Sequence, residues 1–147
     1  FFQIILGNKV VKLTTIKDDI KKYLYFIYLG KKQNSRDSIQ YFRNNSVVDP
    51  KSLDRVSEIS RLFVEADSYP KLNSLIEEHE NILSGILKLP TIKESRFSDL
   101  DGQIKSLGGW GGDFAMISTS MPEESLKQYL SARNITTIYK YQDLVLE

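Results

Sequence analysis

Cysteine is absent from the 147 residues. That excludes a disulfide scaffold, a thiolate metal site and a cysteine nucleophile. The only histidine, His79, cannot make any site that needs two, such as the HExxH zinc pair. No apolar run approaches the ~20 residues of a membrane-spanning helix. The stretch from Phe1 to Leu6 is too short for the apolar core of a signal peptide and has no cationic lead. The expected setting is therefore the cytoplasm. Excess charge is missing too: 20 Lys and Arg against 19 Asp and Glu leave +1. A chain so balanced lacks the basic excess that non-specific nucleic-acid binding needs. Hydrophobic residues make up 41% and charged residues 27%, the proportions of an ordinary globular domain rather than a disordered or coiled-coil chain.

The chain opens on Phe1-Phe2 rather than Met and runs straight into strand-like sequence, so it reads as the C-terminal part of a longer protein. Two β-rich runs, Phe1–Leu6 and Lys9–Thr15, flank Gly7-Asn8 and predict a hairpin. Tyr23–Leu29 is apolar at every position, which predicts a strand buried on both faces. A helix is expected over Asp37–Arg43, capped by Asn34 or Ser35, with Ile39 and Phe42 on one face. The four prolines punctuate the rest. Asp49-Pro50 is a helix start, and Leu53, Val56, Ile59, Leu62, Phe63 and Ala66 follow at helical spacing. Ser68 and Pro70 open the next helix, whose apolar stripe runs from Leu72 to Leu87 and which Pro90 stops. A short helical turn is expected near Ser95–Asp101. Strands are expected over Gln103–Leu107, Asp113–Thr119 and Thr136–Tyr141, with a helix over Pro122–Arg133 started by Glu123 and Glu124.

Set aside the inserted helices and the order is β-α-β-β-α-β. This is the α+β, ferredoxin-like split βαβ arrangement, with extra inserted helices and an N-terminal hairpin. We expect one antiparallel sheet with helices on one face. In such a sheet the first and third strands are central antiparallel neighbours. Gly30 and Asp113 should therefore meet at one sheet edge.

The strongest local signal is Lys105-Ser106-Leu107-Gly108-Gly109-Trp110-Gly111-Gly112-Asp113. Four glycines fall in five residues between two strands, where a turn needs only two residues. Glycine-rich backbone can approach a phosphate or another backbone closely. It is not a Walker A loop, since no Gly-Lys-Ser/Thr follows, and not a Rossmann fingerprint, since a strand follows it rather than a helix.

The segment resembles the C-terminal motif of the GHMP kinases (galactokinase, homoserine, mevalonate and phosphomevalonate kinases), roughly Lys-x-Ser/Thr-Gly-Ala-Gly-Gly-Gly-Asp/Cys. Lys105, Gly108, Gly111, Gly112 and Asp113 match it, and Gly109 replaces the usual Ala. Leu107 stands where a hydroxyl is common, and Trp110 stands where the family has Gly. Tyr25–Gly30 and the following Lys31-Lys32-Gln33-Asn34-Ser35-Arg36-Asp37 look like the strand, Gly, polar loop and helix that open the C-terminal domain of these enzymes.

The resemblance implies the C-terminal domain of a divergent bacterial member. Residues 1–16 would then be the tail of a missing N-terminal domain, and 17–147 the domain itself. It implies an ATP-dependent kinase, using Mg2+, for a small anionic acid such as mevalonate or phosphomevalonate. Lys31, Lys32, Asn34, Ser35, Arg36 and Asp113 would border the acceptor, and Gly108, Gly109, Trp110, Gly111 and Gly112 would form the glycine-rich loop. The family's phosphate-binding loop, Pro-x-x-x-Gly-Leu-x-Ser-Ser-Ala, is absent. The chain alone should therefore be inactive and should bind neither ATP nor the metal.

Two other readings share the topology. An RRM-type RNA-binding domain has the same strand order, with Leu24–Gly30 and Gly112–Ile117 as faint counterparts of its RNP elements. Asp113 stands there where a basic residue is expected. A non-catalytic, regulatory relative of the GHMP fold is the third reading. His79, flanked by Glu78 and Glu80 on the apolar stripe, reads as a packed histidine, and Asp99 and Asp101 as helix-end acids rather than metal ligands.

Overall fold

The computed structural model describes residues 2–6, 9–14, 16–30, 35–46, 48–108 and 112–145. Strands β1 (Phe2–Leu6) and β2 (Lys9–Thr14) form the expected hairpin. They pair antiparallel from Phe2↔Thr14 to Leu6↔Lys9, with a register shift between Gln3 and Ile5, and make a sheet of their own. The Gly7-Asn8 link lies outside the described residues. A short helix, α1 (Asp18–Lys21), leads into β3 (Leu24–Tyr28).

Helix α2 (Ser35–Asn45) starts two residues before the expected Asp37, and Ser35 lies inside it rather than ahead of it as a cap. Its Ile39 and Phe42 are exposed. Helix α3 (Pro50–Glu65) begins as expected. The Asp49 carboxylate accepts the Ser52 N–H at 3.0 Å, and Pro50 takes the first turn, where its missing N–H costs nothing. Helix α4 (Tyr69–Leu87) ends before Pro90, on Lys88 in the left-handed region at φ 54°. The Lys88 N–H bonds back to the Ser84 carbonyl.

The next helix, α5 (Ile92–Arg96), comes ahead of the expected turn at Ser95–Asp101, and that turn is present, closed by the Leu100 N–H donating to the Phe97 carbonyl at 3.0 Å. A capping box sets the start: Glu94 N–H donates to Thr91 Oγ1 at 3.1 Å, and Thr91 N–H donates to Glu94 Oε2 at 2.8 Å. Phe97 and Leu100, which suggested the later turn, are buried just beyond it. Strand β4 (Gln103–Leu107) has the expected bounds, and β5 is Phe114–Ser118. Helix α6 (Glu123–Ser131) follows Pro122, and β6 shrinks to Ile138–Lys140 because Tyr141 opens a short helix, α7 (Tyr141–Leu144).

Strands β3 to β6 form one antiparallel sheet in the order β4-β5-β3-β6. This is the ferredoxin-like order, and the fold is α+β with helices added to it. The helices do not share one face, as expected, but cover both. Tyr25 and Ile27 of β3, Ile104 of β4 and Ile117 of β5 pack with Ile92, Phe97 and with Leu126 and Leu130 of α6. Leu24 and Met116 point the other way, into a cluster with Ile59 of α3, Leu72, Leu75 and Ile76 of α4, and Tyr141 of α7. The two long helices each carry one apolar stripe, and the second sheet face is where those stripes are buried. Among the described residues, no helix is long and apolar enough to cross a membrane.

Candidate functional site

The central strands bring three strand ends together. Tyr28 of β3 pairs with Phe114 of β5, and Leu107 of β4 pairs with the same Phe114. One residue further, the Leu29 N–H donates to the Asp113 carbonyl at 2.7 Å. The exit of β3 at Gly30 thus lies beside the entrance of β5 at Asp113, as the topology required. Gly30 has φ +76° and Gly108 has φ +74°, conformations that turn the chain sharply as it leaves β3 and β4. The Tyr28 and Phe114 rings stack at 5.2 Å between centroids on this edge.

Of the residues read as the acceptor border, Lys31, Lys32 and Asn34 lie outside the described residues, as do Gly109, Trp110 and Gly111 of the glycine-rich loop. Ser35 is the first residue of α2, and Arg36 is exposed in its first turn. Gly108 is exposed, Gly112 is buried and Asp113 is partly buried. The strand-side ends of both loops, at Gly30, Gly108 and Asp113, therefore meet at one edge.

A second constellation went unread in the sequence. Lys105, the first residue of the glycine-rich motif, turns toward α4. Its Nζ lies 3.0 Å from His79 Nδ1 and 3.5 Å from Glu80 Oε1. With the ammonium donating to Nδ1, the imidazole proton belongs on Nε2. Glu80 is almost wholly buried, and its other oxygen accepts the Ser106 N–H at 3.2 Å. Strand β4 is an edge strand, so that N–H would otherwise find no ladder partner. Burial pushes the Lys105 ammonium below the ordinary lysine value, and the Glu80 charge partly opposes the shift.

His79 is packed, as expected, but Glu78 is not its companion. Glu78 receives a two-pronged contact from Arg55 of α3 at 2.5 and 2.7 Å, and these hydrogen bonds hold its carboxyl below the usual range. Two sequence signals could have found the Lys105–Glu80 pair. Glu80 falls four residues after Ile76, in line with the buried stripe, and Lys105 alternates onto the same strand face as Leu107.

The two acids read as helix-end residues lie beyond the end of α5; the Asp99 carboxylate has side-chain partners, while Asp101 is held through its backbone carbonyl. Asp99 takes Arg133 Nη2 at 2.6 and 2.7 Å and the Tyr129 hydroxyl at 2.7 Å. These contacts hold the Asp99 carboxyl low. Burial, with the Asp99 hydrogen bond, pushes the Tyr129 phenol up to about 12. The Asp101 carbonyl accepts the Thr119 hydroxyl at 2.5 Å. Among the described residues, no three His, Asp or Glu side chains are grouped so as to hold a metal ion.

No family model matches the chain, and no curated protein matches it significantly. A solved structure of MDDEF in complex with MVAPP superposes with a TM-score of 0.47 at 13% identity. The match covers 83% of this chain and 46% of that one, so this chain spans less than half of its length.

Proposed function

We propose that the chain is the acceptor-side, C-terminal domain of a GHMP-type kinase acting on a small acid such as mevalonate or phosphomevalonate. The observation that carries the reading is the shared strand edge: Gly30 and Asp113 are neighbours across the β3–β5 pair. A domain closing over that edge would meet both polar, glycine-containing loops at once. Arg36 in the first turn of α2 supplies positive charge for an anionic acceptor, and Asp113 supplies an acceptor for a substrate hydroxyl.

Phosphoryl transfer depends on cradled phosphates and a metal ion. The described residues contain no carboxylate cluster suited to magnesium and so do not fit Mg2+, and the sequence offers ATP no phosphate loop. Both would be held by the domain that closes over this edge, and this chain's task is to bind and orient the acceptor. The β1–β2 hairpin, a sheet of its own, belongs with that other domain in this reading, and Ile39 and Phe42 of α2 are exposed apolar residues for it to cover.

The RNA-binding reading needs an open sheet face on which bases can stack. Here the face that carries Phe26 and Met116 packs against α3, α4 and α7, so the kinase reading is preferred. The test is a titration of the 15N-labelled chain with phosphomevalonate. The amides of Gly30, Arg36, Gly112 and Asp113 should shift together and saturate, and Arg36→Ala should weaken the response severalfold. Unmoved amides at this edge at millimolar ligand would overturn the proposal, as would shifts produced instead by single-stranded RNA.

A further inference from the structure

Between α3, α4 and the inner face of the sheet lies a cavity of about 480 Å³, within the ~300–1,000 Å³ range of small-molecule pockets. Its walls are Phe26 and Met116 from the sheet, Ile59 and Phe63 from α3, and Ile76 from α4. Exposed Ser60 and half-buried Val64 stand on the rim. The cavity belongs to the helix-covered sheet face, away from the edge where Gly30 meets Asp113.

The polar side chains in the wall are Ser60, His79, Lys105 and Tyr141. Ser60 directs its hydroxyl to the Val56 carbonyl at 2.9 Å. Lys105 and His79 touch each other and give the cavity one polar end. Among the described residues, the Lys105 ammonium lies 3.0 and 3.4 Å from the two His79 ring nitrogens and 3.5 Å from Glu80 Oε1, so with one N–H on the imidazole and one on the carboxylate a third is left for a ligand.

Charge decides what that end accepts. Lys105 and Glu80 cancel, so a carboxylate or phosphate head would bring a surplus negative charge against the buried Glu80, where desolvation makes it costly. A hydroxyl or carbonyl can take the Lys105 N–H without that cost. We propose that the cavity binds an uncharged amphiphile, an aliphatic chain whose single hydroxyl or carbonyl oxygen meets Lys105. At ~30 Å³ per water-sized volume, the space of about 480 Å³ holds about sixteen heavy atoms at most, so a chain of about ten to fourteen fits without filling it.

The neutral fluorophore N-phenyl-1-naphthylamine tests this on the intact chain, with decan-1-ol and decanoate as competitors at pH 7.5. The fluorophore should bind at a single saturable site, and decan-1-ol should displace it at least tenfold more effectively than decanoate. Val64→Trp, which fills the cavity from its rim, should weaken binding at least tenfold while the thermal transition is kept. If that variant does not fold, Ser60→Phe from the exposed edge serves the same purpose. Absence of saturable binding to the folded chain would overturn the proposal. Unchanged binding in the folded filling variant, or decanoate competing as well as decan-1-ol, would also overturn it.

Discussion

Among the described residues, Glu80 should be a costly polar side chain to remove, because it closes the open edge of β4. Glu80→Ala deletes the acceptor of the Ser106 N–H and the counter-charge of Lys105 in one step. Losing a hydrogen bond to a charged group costs about 1.5–3 kcal/mol, and a buried N–H left unsatisfied costs about 1–3 kcal/mol. Lys105 retains some exposure, so its ammonium can turn partly to water and does not add the full penalty of a stranded buried charge. The expected total is about 3 kcal/mol. Glu80→Gln keeps an acceptor for Ser106 and should cost about half as much. Urea unfolding measures both, with the midpoint moving and the slope unchanged. In a domain of this size, about 3 kcal/mol corresponds to a melting temperature lower by roughly 6–12 °C. The double variant Glu80→Gln/Lys105→Met should cost less than the sum of the single changes, because the two groups interact directly. A Glu80→Ala loss below about 1 kcal/mol, or full additivity in the cycle, would refute the edge-closing role.

Two glycines should behave differently from each other. At Gly102, with φ +135°, an added Cβ would overlap the Ser118 carbonyl oxygen and lie 3.1 Å from Thr119 Cα, so Gly102→Ala should cost about 3–5 kcal/mol. At Gly30, with φ +76° and no described neighbour within 4 Å of an added Cβ, Gly30→Ala should cost only the left-handed backbone penalty, about 1–2 kcal/mol; equal losses in urea unfolding would contradict this account. Ultraviolet titration near 295 nm, compared with Tyr129→Phe, should show the Tyr129 phenol ionising at about 12 rather than near 10. Because that folded value is raised, its contribution to stability is complete below about pH 10 and fades as pH climbs through about 12. Asp99→Asn should bring the Tyr129 value partway down and no further, since burial is the larger cause; an unmoved titration would show that the Asp99 hydrogen bond contributes nothing.

The sheet was legible where local chemistry and long-range pairing agree. Asp49-Pro50 announced α3 because a carboxylate that caps and a proline that needs no donor leave little other choice. The β-α-β-β-α-β rhythm gave the strand order, and from it followed the meeting of Gly30 with Asp113. The layering was misread, although a clue was present. A β3 apolar at every position demands cover on both faces, which is incompatible with helices on one side alone. The α5 start is written as Thr91-x-x-Glu94 and went unread, while Phe97 and Leu100 pointed only to the turn that follows it. Helix α7 follows from tertiary packing, since Tyr141 is drawn under the sheet against Phe26. The Lys105–His79–Glu80 contact joins residues about 25 apart through the lay of α4 along an edge strand; the stripe position of Glu80 and the face of Lys105 were legible, but their meeting needs the topology in place.

The central claim is that this chain orients an acid acceptor for phosphoryl transfer completed by another domain. The direct measurement is transfer of labelled γ-phosphate from ATP to mevalonate, phosphomevalonate and homoserine. It should be run with the chain alone and with the longer protein that the proposed reading requires, each with and without Arg36→Ala. The account predicts no transfer by the chain alone, transfer by the longer protein to one of these acids, and a raised KM for that acid when Arg36 is replaced. Turnover by the chain alone would contradict it, and so would a longer protein that phosphorylates none of the three.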